Sequence, residues 1–221
     1  NLNILRLLAI LLIGIILLVG IIYENSKNKK TKFVSVDGNI GSGKSTLIKI
    51  LKKHFKNDEN IIFVDEPVEE WTKISDEKNN NILNEFYNDK KRWSYTFQNF
   101  AFITRYEKLI KYINKFKYNK IIISERSTET DKNVFAKMLY DSKLITELEY
   151  KIYNYWYSKI IDNETKVKNI IYVDTDPNTS FQRIKKRARK EENTVNKSYI
   201  NDVHNYHLYW LNNSKYNICK I

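Results

Sequence analysis

Apolar residues along the chain fall into two alternating patterns. Short β-rich runs at 33–37, 60–64, 120–124, 169–173 and 216–221 predict strands, and the stretches between them carry apolar positions at helical spacing. Strands separated by helices argue for an α/β domain with a parallel sheet covered on both faces. Functional groups then belong at the carboxyl ends of the strands. Four of those ends carry polar chemistry: Asp37-Gly38, Asp65-Glu66, Glu125-Arg126 and Asp174. No internal repeat interrupts the pattern, and the cluster Asn79-Asn80-Asn81 predicts a loop or a helix start.

One stretch does not follow this alternation. Residues 2–22 are almost wholly apolar, interrupted by Asn3 and Arg6, and as a helix they would extend about 30 Å, enough to cross a bilayer. The following flank holds Lys27, Lys29, Lys30 and Lys32, so the positive-inside rule predicts a single-pass anchor with the later domain facing the cytoplasm. The expected organisation is a transmembrane anchor over 1–22, a basic linker over 23–32 and one domain over 33–221. A signal peptide is the alternative for the first segment, and without a retained anchor the domain is cytoplasmic.

Composition narrows the class further. With 221 residues, 42% hydrophobic and 14% aromatic, the chain can bury the core of a single α/β domain. Cys219 is the only cysteine, which excludes an internal disulfide and a cysteine-based zinc constellation. A net charge of +12 is compatible with nucleic acid or an anionic membrane, but lysine and tyrosine are scattered without an RNA-recognition signature. No nucleic-acid partner is expected. His204 and His207 share a helix face without a third ligand, and an aromatic structural patch is favoured over a metal site.

The segment GNIGSGKS, residues 38–45, sits between the first apolar run and a helical pattern. This is the G-x-x-x-x-G-K-[ST] phosphate loop in its required setting of strand, turn and helix. Backbone N–H groups from Gly38, Asn39, Ile40, Gly41, Ser42 and Gly43 through Thr46 can wrap a polyphosphate, with Lys44 as a point charge and Ser45 as a hydroxyl for Mg²⁺. A nucleoside triphosphate is the expected ligand, with Mg²⁺ as cofactor.

Phosphoryl transfer also needs cations around the transferred group and a carboxylate near the attacking hydroxyl. Glu66, fixed by Pro67 after the second run, is the candidate general base. Glu125 and Arg126 pair a metal-oriented carboxylate with a phosphate-oriented guanidinium. Six cations lie between Arg183 and Lys190, too many for a quiet helix face, and predict a lid closing over phosphates.

The ordered set GNIGSGKS, EPVEEW (66–71), RWSYTFQNFAFITR (92–105), ERSTETD (125–131), RIKKRARKEE (183–192) and YHLYWL (206–211) resembles the deoxyribonucleoside kinase family. The resemblance implies a P-loop kinase with a five-stranded parallel sheet, ATP-dependent 5′-phosphorylation of deoxynucleosides, and a homodimer. It implies catalysis by Glu66, Arg126 and Lys44, with Ser45 and Glu125 near Mg²⁺ and lid arginines at Arg183, Arg187 and Arg189. Tyr87 and Glu192 match residues that hold the sugar 3′-hydroxyl, and Trp71, Phe97, Gln98 and Phe135 match residues bordering the base. Arg105 and Asp131, beside Ala101, fall where the family tunes base choice, which favours deoxycytidine and purine deoxynucleosides over thymidine. Two other readings remain open: a thymidylate or other nucleoside-monophosphate kinase, and a non-catalytic nucleotide-binding subunit at a membrane.

Overall fold

A computed structural model describes residue 14 and residues 31–116 and 120–221. Apart from residue 14, the expected anchor lies outside these residues, as does the linker up to residue 30. No helix among the described residues is long and apolar enough to cross a membrane.

Five strands form where the apolar runs predict them: β1 (Lys32–Gly38), β2 (Ile61–Val64), β3 (Ile121–Glu125), β4 (Asn169–Val173) and β5 (Asn217–Lys220). All neighbouring pairs are parallel, in the order β2-β3-β1-β4-β5. The central strands are apolar on both faces because helices cover both. Val34, Val36, Ile121, Ile123 and Ile171 pack on one face with Ile48 and Leu51 of helix α1 (Lys44–His54). Phe33, Ile122, Ile170 and Tyr172 belong to the larger core on the other face.

That larger core is closed by α4 (Lys90–Lys115) and α9 (Lys197–Asn212). Its smaller helices are α2 (Val68–Lys73), α3 (Ile82–Asn88), α5 (Thr128–Thr130), α6 (Lys137–Asp141), α7 (Glu147–Ile160) and α8 (Pro177–Arg187). Asn81 caps α3 by accepting from the Asn84 N–H, which realises the helix start expected at the asparagine cluster. Asp89 caps α4 through the Arg92 N–H. At 26 residues α4 extends about 39 Å, and Ser94, Gln98, Ala101, Arg105 and Leu109 are buried along it at three- and four-residue steps, with Phe97 beside them. Between α5 and α6 the chain widens into a π-helical turn over Asp131–Ala136.

Behind the phosphate loop the core is polar. Thr128, Glu129 and Thr130 are all buried, although three consecutive polar residues would ordinarily mark a surface. Asp37 accepts hydrogen bonds from the Ser35 and Thr130 hydroxyls. Glu129 accepts from the Val167 N–H at 3.2 Å and the Thr128 hydroxyl at 3.2 Å. His207 is also buried, its Nδ1 bonded to the Val203 carbonyl at 2.7 Å and its ring packed on Tyr172 and Phe135. Burial pushes its pKa well down, and among the described residues no group of three or more His, Cys, Asp or Glu comes together to hold a metal.

Burial raises the Glu129 carboxyl to about 7, against the hydrogen bonds it receives. A carboxyl whose folded pKa lies above its unfolded value adds stability that is complete below the unfolded value near 4.5 and is lost as pH rises through about 7. Glu129→Gln keeps the shape and stays neutral. It should stabilise the protein at pH 8 by about 1–3 kcal/mol, with the gain vanishing towards pH 5, as measured by urea denaturation across pH.

Candidate active site

The phosphate loop joins β1 to α1 and turns on two glycines. Gly43 stands at φ 108° as the N-cap of α1, and Gly41 at φ 76° lies so close to α8 that a Cβ would come within 2.4 Å of the Ser180 carbonyl. Helix α1 has neither a side-chain cap nor an acidic residue in its first turn. Its free N–H groups and dipole therefore face the cleft as an anion site. Lys44 donates to the Asn39 carbonyl at 2.7 Å, and Asn39 in turn anchors the loop to α9 by donating to the Ile200 carbonyl at 2.8 Å. Burial, with the neighbouring Arg126, lowers Lys44 to about 7 despite the acids around it.

At the end of β3 the Glu125 carboxylate accepts from the Ser45 hydroxyl at 2.7 Å. The next residue, Arg126, adopts φ 65°, a left-handed conformation costing on the order of 1–3 kcal/mol in a non-glycine residue. Surrounding bonds hold it there. Its N–H donates to the Val36 carbonyl at 3.0 Å, and its carbonyl accepts from the Ser124 hydroxyl at 2.6 Å. Its guanidinium donates to the Gly38 carbonyl at 2.8 Å, meets Glu66 at 3.2 Å and lies 4.9 Å over the Phe135 ring.

Glu66 follows β2, one residue before the proline that opens α2. Its Oε1 takes Arg105 Nη2 at 2.9 Å as well as Arg126 Nε. Burial alone would raise this carboxyl; Arg105, Arg126 and Lys44 together reverse that and hold it at about 2. Arg105 rises from the middle of α4 and is fixed on three sides. It donates to Asp131 at 2.8 Å, to the Glu125 carbonyl at 2.9 Å and to Glu66. The π-helical turn begins at Asp131, which sets that carboxylate against Arg105.

These groups line one cleft of about 1010 Å³ that runs from the phosphate loop to α3 and α4. All of the expected site residues lie on its wall except Gly38, Asn39 and Ser42, which brace the loop from behind. On the apolar side Trp71 meets Phe97 edge-to-face at 5.3 Å and donates from its indole to Thr104 at 2.9 Å. Gln98 is buried beside Ala101. The expected lid arginines divide: Arg183 reaches the Ser42 carbonyl at 2.9 Å, whereas Arg187 and Arg189 pair with Glu192 at 2.6 and 3.2 Å.

Some cleft residues escape a motif-based reading. Tyr199 is on the wall, 6.2 Å from the Tyr87 ring. The sequence signal available for it was positional, since Asn196 three residues earlier caps α9 and fixes which helix face looks into the cleft. Lys49 and Lys108 also line the cleft, each one helical turn beyond a recognised residue, Ser45 and Arg105.

Known proteins resemble this chain over most of its length. Residues 34–221 match the family described as deoxynucleoside kinase. A probable deoxycytidine kinase of fowlpox virus is 42% identical over 193 residues, covering 86% of this chain and 76% of that protein. The mitochondrial deoxyguanosine kinase of Xenopus laevis is 33% identical over 204 residues, 85% of this chain and 76% of that one. The human mitochondrial thymidine kinase 2 is 31% identical over 189 residues, 85% and 67% respectively. On these matches over most of its length, the chain belongs to the deoxynucleoside kinase family.

Proposed function

We propose that the protein transfers the γ-phosphoryl group of ATP to the 5′-hydroxyl of a deoxyribonucleoside, with Glu66 as the base. The observation that carries this reading is the Glu66 carboxylate, held by Arg105 and Arg126 in the same cleft as Lys44 and the loop amides. An acidic group at the acceptor position suits a neutral hydroxyl; a nucleoside monophosphate would bring a second negative charge against it. The O5′–P bond forms as the bond from phosphorus to the β-γ bridging oxygen breaks, and the hydroxyl proton passes to Glu66. A carboxylate with a pKa of about 2 stays ionised throughout the working range and takes that proton late, once bonding to phosphorus has acidified the hydroxyl.

Lys44, the loop amides and Arg126 stabilise charge on the transferring group, and Arg183, Arg187 and Arg189 complete the cationic enclosure when ATP enters. Ser45 and Glu125, two oxygen ligands 2.7 Å apart at the loop, are the residues that would hold Mg²⁺, which neutralises phosphate charge when bound. One carboxylate suffices there, because Mg²⁺ takes most of its remaining ligands from water and phosphate. Tyr87 and Glu192 hold the sugar 3′-hydroxyl at the far wall.

Base choice rests on Arg105 and Asp131. Together with Gln98 they make the base end of the cleft charged and hydrogen-bonding, beside the small Ala101. Asp131 accepts from an exocyclic amine of cytosine, adenine or guanine, whereas thymine would turn a carbonyl towards it. An unmatched buried group costs about 1–3 kcal/mol, so deoxycytidine and purine deoxynucleosides are favoured over thymidine by about ten- to a hundredfold. Relatives named for deoxycytidine and for deoxyguanosine support this, and one named for thymidine means that family membership alone does not decide the base.

A homodimer is part of the same proposal. Leu148, Ile152, Tyr155 and Trp156 form one exposed apolar face of α7, next to α4, whose Phe102 packs on Tyr153 and Tyr157. Membrane tethering through residues 2–22 rests on their apolar length.

Glu66→Gln should lower turnover by roughly 10²–10⁴ with the fold intact, and Lys44→Ala should abolish it. Phosphate transfer from labelled ATP to the four deoxynucleosides is the measurement, and near-normal turnover by Glu66→Gln would remove the base assignment. In the same assay Arg105→Met with Asp131→Ala should shift kcat/KM towards thymidine, whereas Asp131→Ala alone should mainly damage activity by stranding Arg105. A wild-type preference for thymidine, or no shift on double substitution, would mean that this pair does not read the base. Full-length protein should stay with membranes through an alkaline carbonate wash. A chain begun at Lys32 should sediment as a dimer that Trp156→Asp converts to a monomer; soluble full-length protein or an unchanged dimer would refute the respective part.

A further inference from the structure

The first turn of α4 holds Lys90, Lys91 and Arg92 and no acid, although the positive end of the helix dipole disfavours cations there. Lys91 and Arg92 are exposed and solvated, but Lys90 is half-buried. Its ammonium makes no ion pair with any described carboxylate, and its neighbour Asp89 is occupied in capping the helix. What it faces instead is aromatic: Nζ lies 5.6 Å from the centre of the Tyr87 ring and 5.3 Å from that of Tyr199. It also donates to the Tyr87 carbonyl at 3.3 Å, which accepts from the Thr194 hydroxyl at 3.1 Å as well.

A cation set against a helix dipole and withdrawn from water needs a compensating attraction, and two tyrosine rings supply one. Both rings line the cleft and stand perpendicular to one another, so a single ammonium clamps them as a pair. Thr194, two residues after Glu192, donates to the same Tyr87 carbonyl and so ties the backbone at Tyr87 to the segment that carries Glu192. A cation near a phenol ring also draws density from the hydroxyl and makes it a better hydrogen-bond donor.

We propose that Lys90 is a positioning residue for sugar recognition, clamping Tyr87 and Tyr199 so that the Tyr87 hydroxyl meets the 3′-hydroxyl of the nucleoside. The inference rests on the reading above that Tyr87 holds that hydroxyl, and its test separates the two. The probes are deoxycytidine and 2′,3′-dideoxycytidine, and the quantity is the ratio of their kcat/KM values in wild type, Lys90→Met, Lys90→Arg and Tyr87→Phe.

Lys90→Met keeps the aliphatic stem and should raise KM for deoxycytidine about five- to tenfold, with the smaller part of the loss in kcat. The preference for the 3′-hydroxylated substrate should fall by a similar factor, and Lys90→Arg should restore most of it. The melting temperature should hold or rise, since the substitution removes a dipole-opposed charge; a residue that only supported the fold would lower it and leave the substrate ratio alone. If Tyr87→Phe collapses the ratio while Lys90→Met leaves it within twofold of wild type, or if Arg behaves like Met, Lys90 does not position Tyr87. If Tyr87→Phe itself leaves the ratio unchanged, the sugar-site reading falls and the clamp falls with it.

Discussion

The guanidinium of Arg126 is buried, and a buried cation must find carbonyls, carboxylates or ring faces on every side. It finds the Gly38 carbonyl of the phosphate loop, the Glu66 carboxylate beyond β2 and the ring of Phe135. Three separate chain segments are thereby brought to one point at the carboxyl edge of the sheet. The left-handed backbone at Arg126 is the geometric condition for this, because it turns the side chain back across β1 and not out along β3. Such strain persists only where neighbours over-determine it, as the Val36 carbonyl and the Ser124 hydroxyl do here.

Arg105 plays the complementary part from above. It joins Glu66 to Asp131, so the carboxylate proposed to receive the proton and the carboxylate proposed to read the base share one cation. Burial opposes charge at Arg105, and the two carboxylates more than restore it. A change of charge at Asp131 therefore alters the field at Glu66 through the cation they share.

Much of this was legible in the sequence because it is local. The five strands, the loop glycines and the strand-end Glu66, Glu125 and Arg126 all announce themselves through spacing over a few residues. The contacts that set electrostatics are not local. Thr130 reaches Asp37 across 93 positions, and Tyr199 lies 112 positions from the Tyr87 it touches (199 − 87). Nothing in its own segment marks Glu129 as buried, yet it is, with the Val167 N–H donating to it across 38 positions. Lys90 is one lysine among many in a basic chain, and nothing within its own helix distinguishes it from Lys91.

Helix α4 carries Gln98, Ala101 and Arg105 on the cleft side, while Phe102 and Tyr106 turn towards Tyr153 and Tyr157 on the buried face of α7. On this side α7 therefore lies between α4 and solvent, and the cleft wall is backed by a second helix. Ala101 and Arg105 each stand one residue, about 100° of rotation, from Phe102 and Tyr106, so the helix's orientation about its axis decides which of them meets the cleft. The packing of Phe102 on Tyr153 and Tyr157 thus joins the wall of the cleft to the exposed apolar face of α7 through one continuous layer of side chains, so what covers that face also bears on the helix that carries Gln98, Ala101 and Arg105.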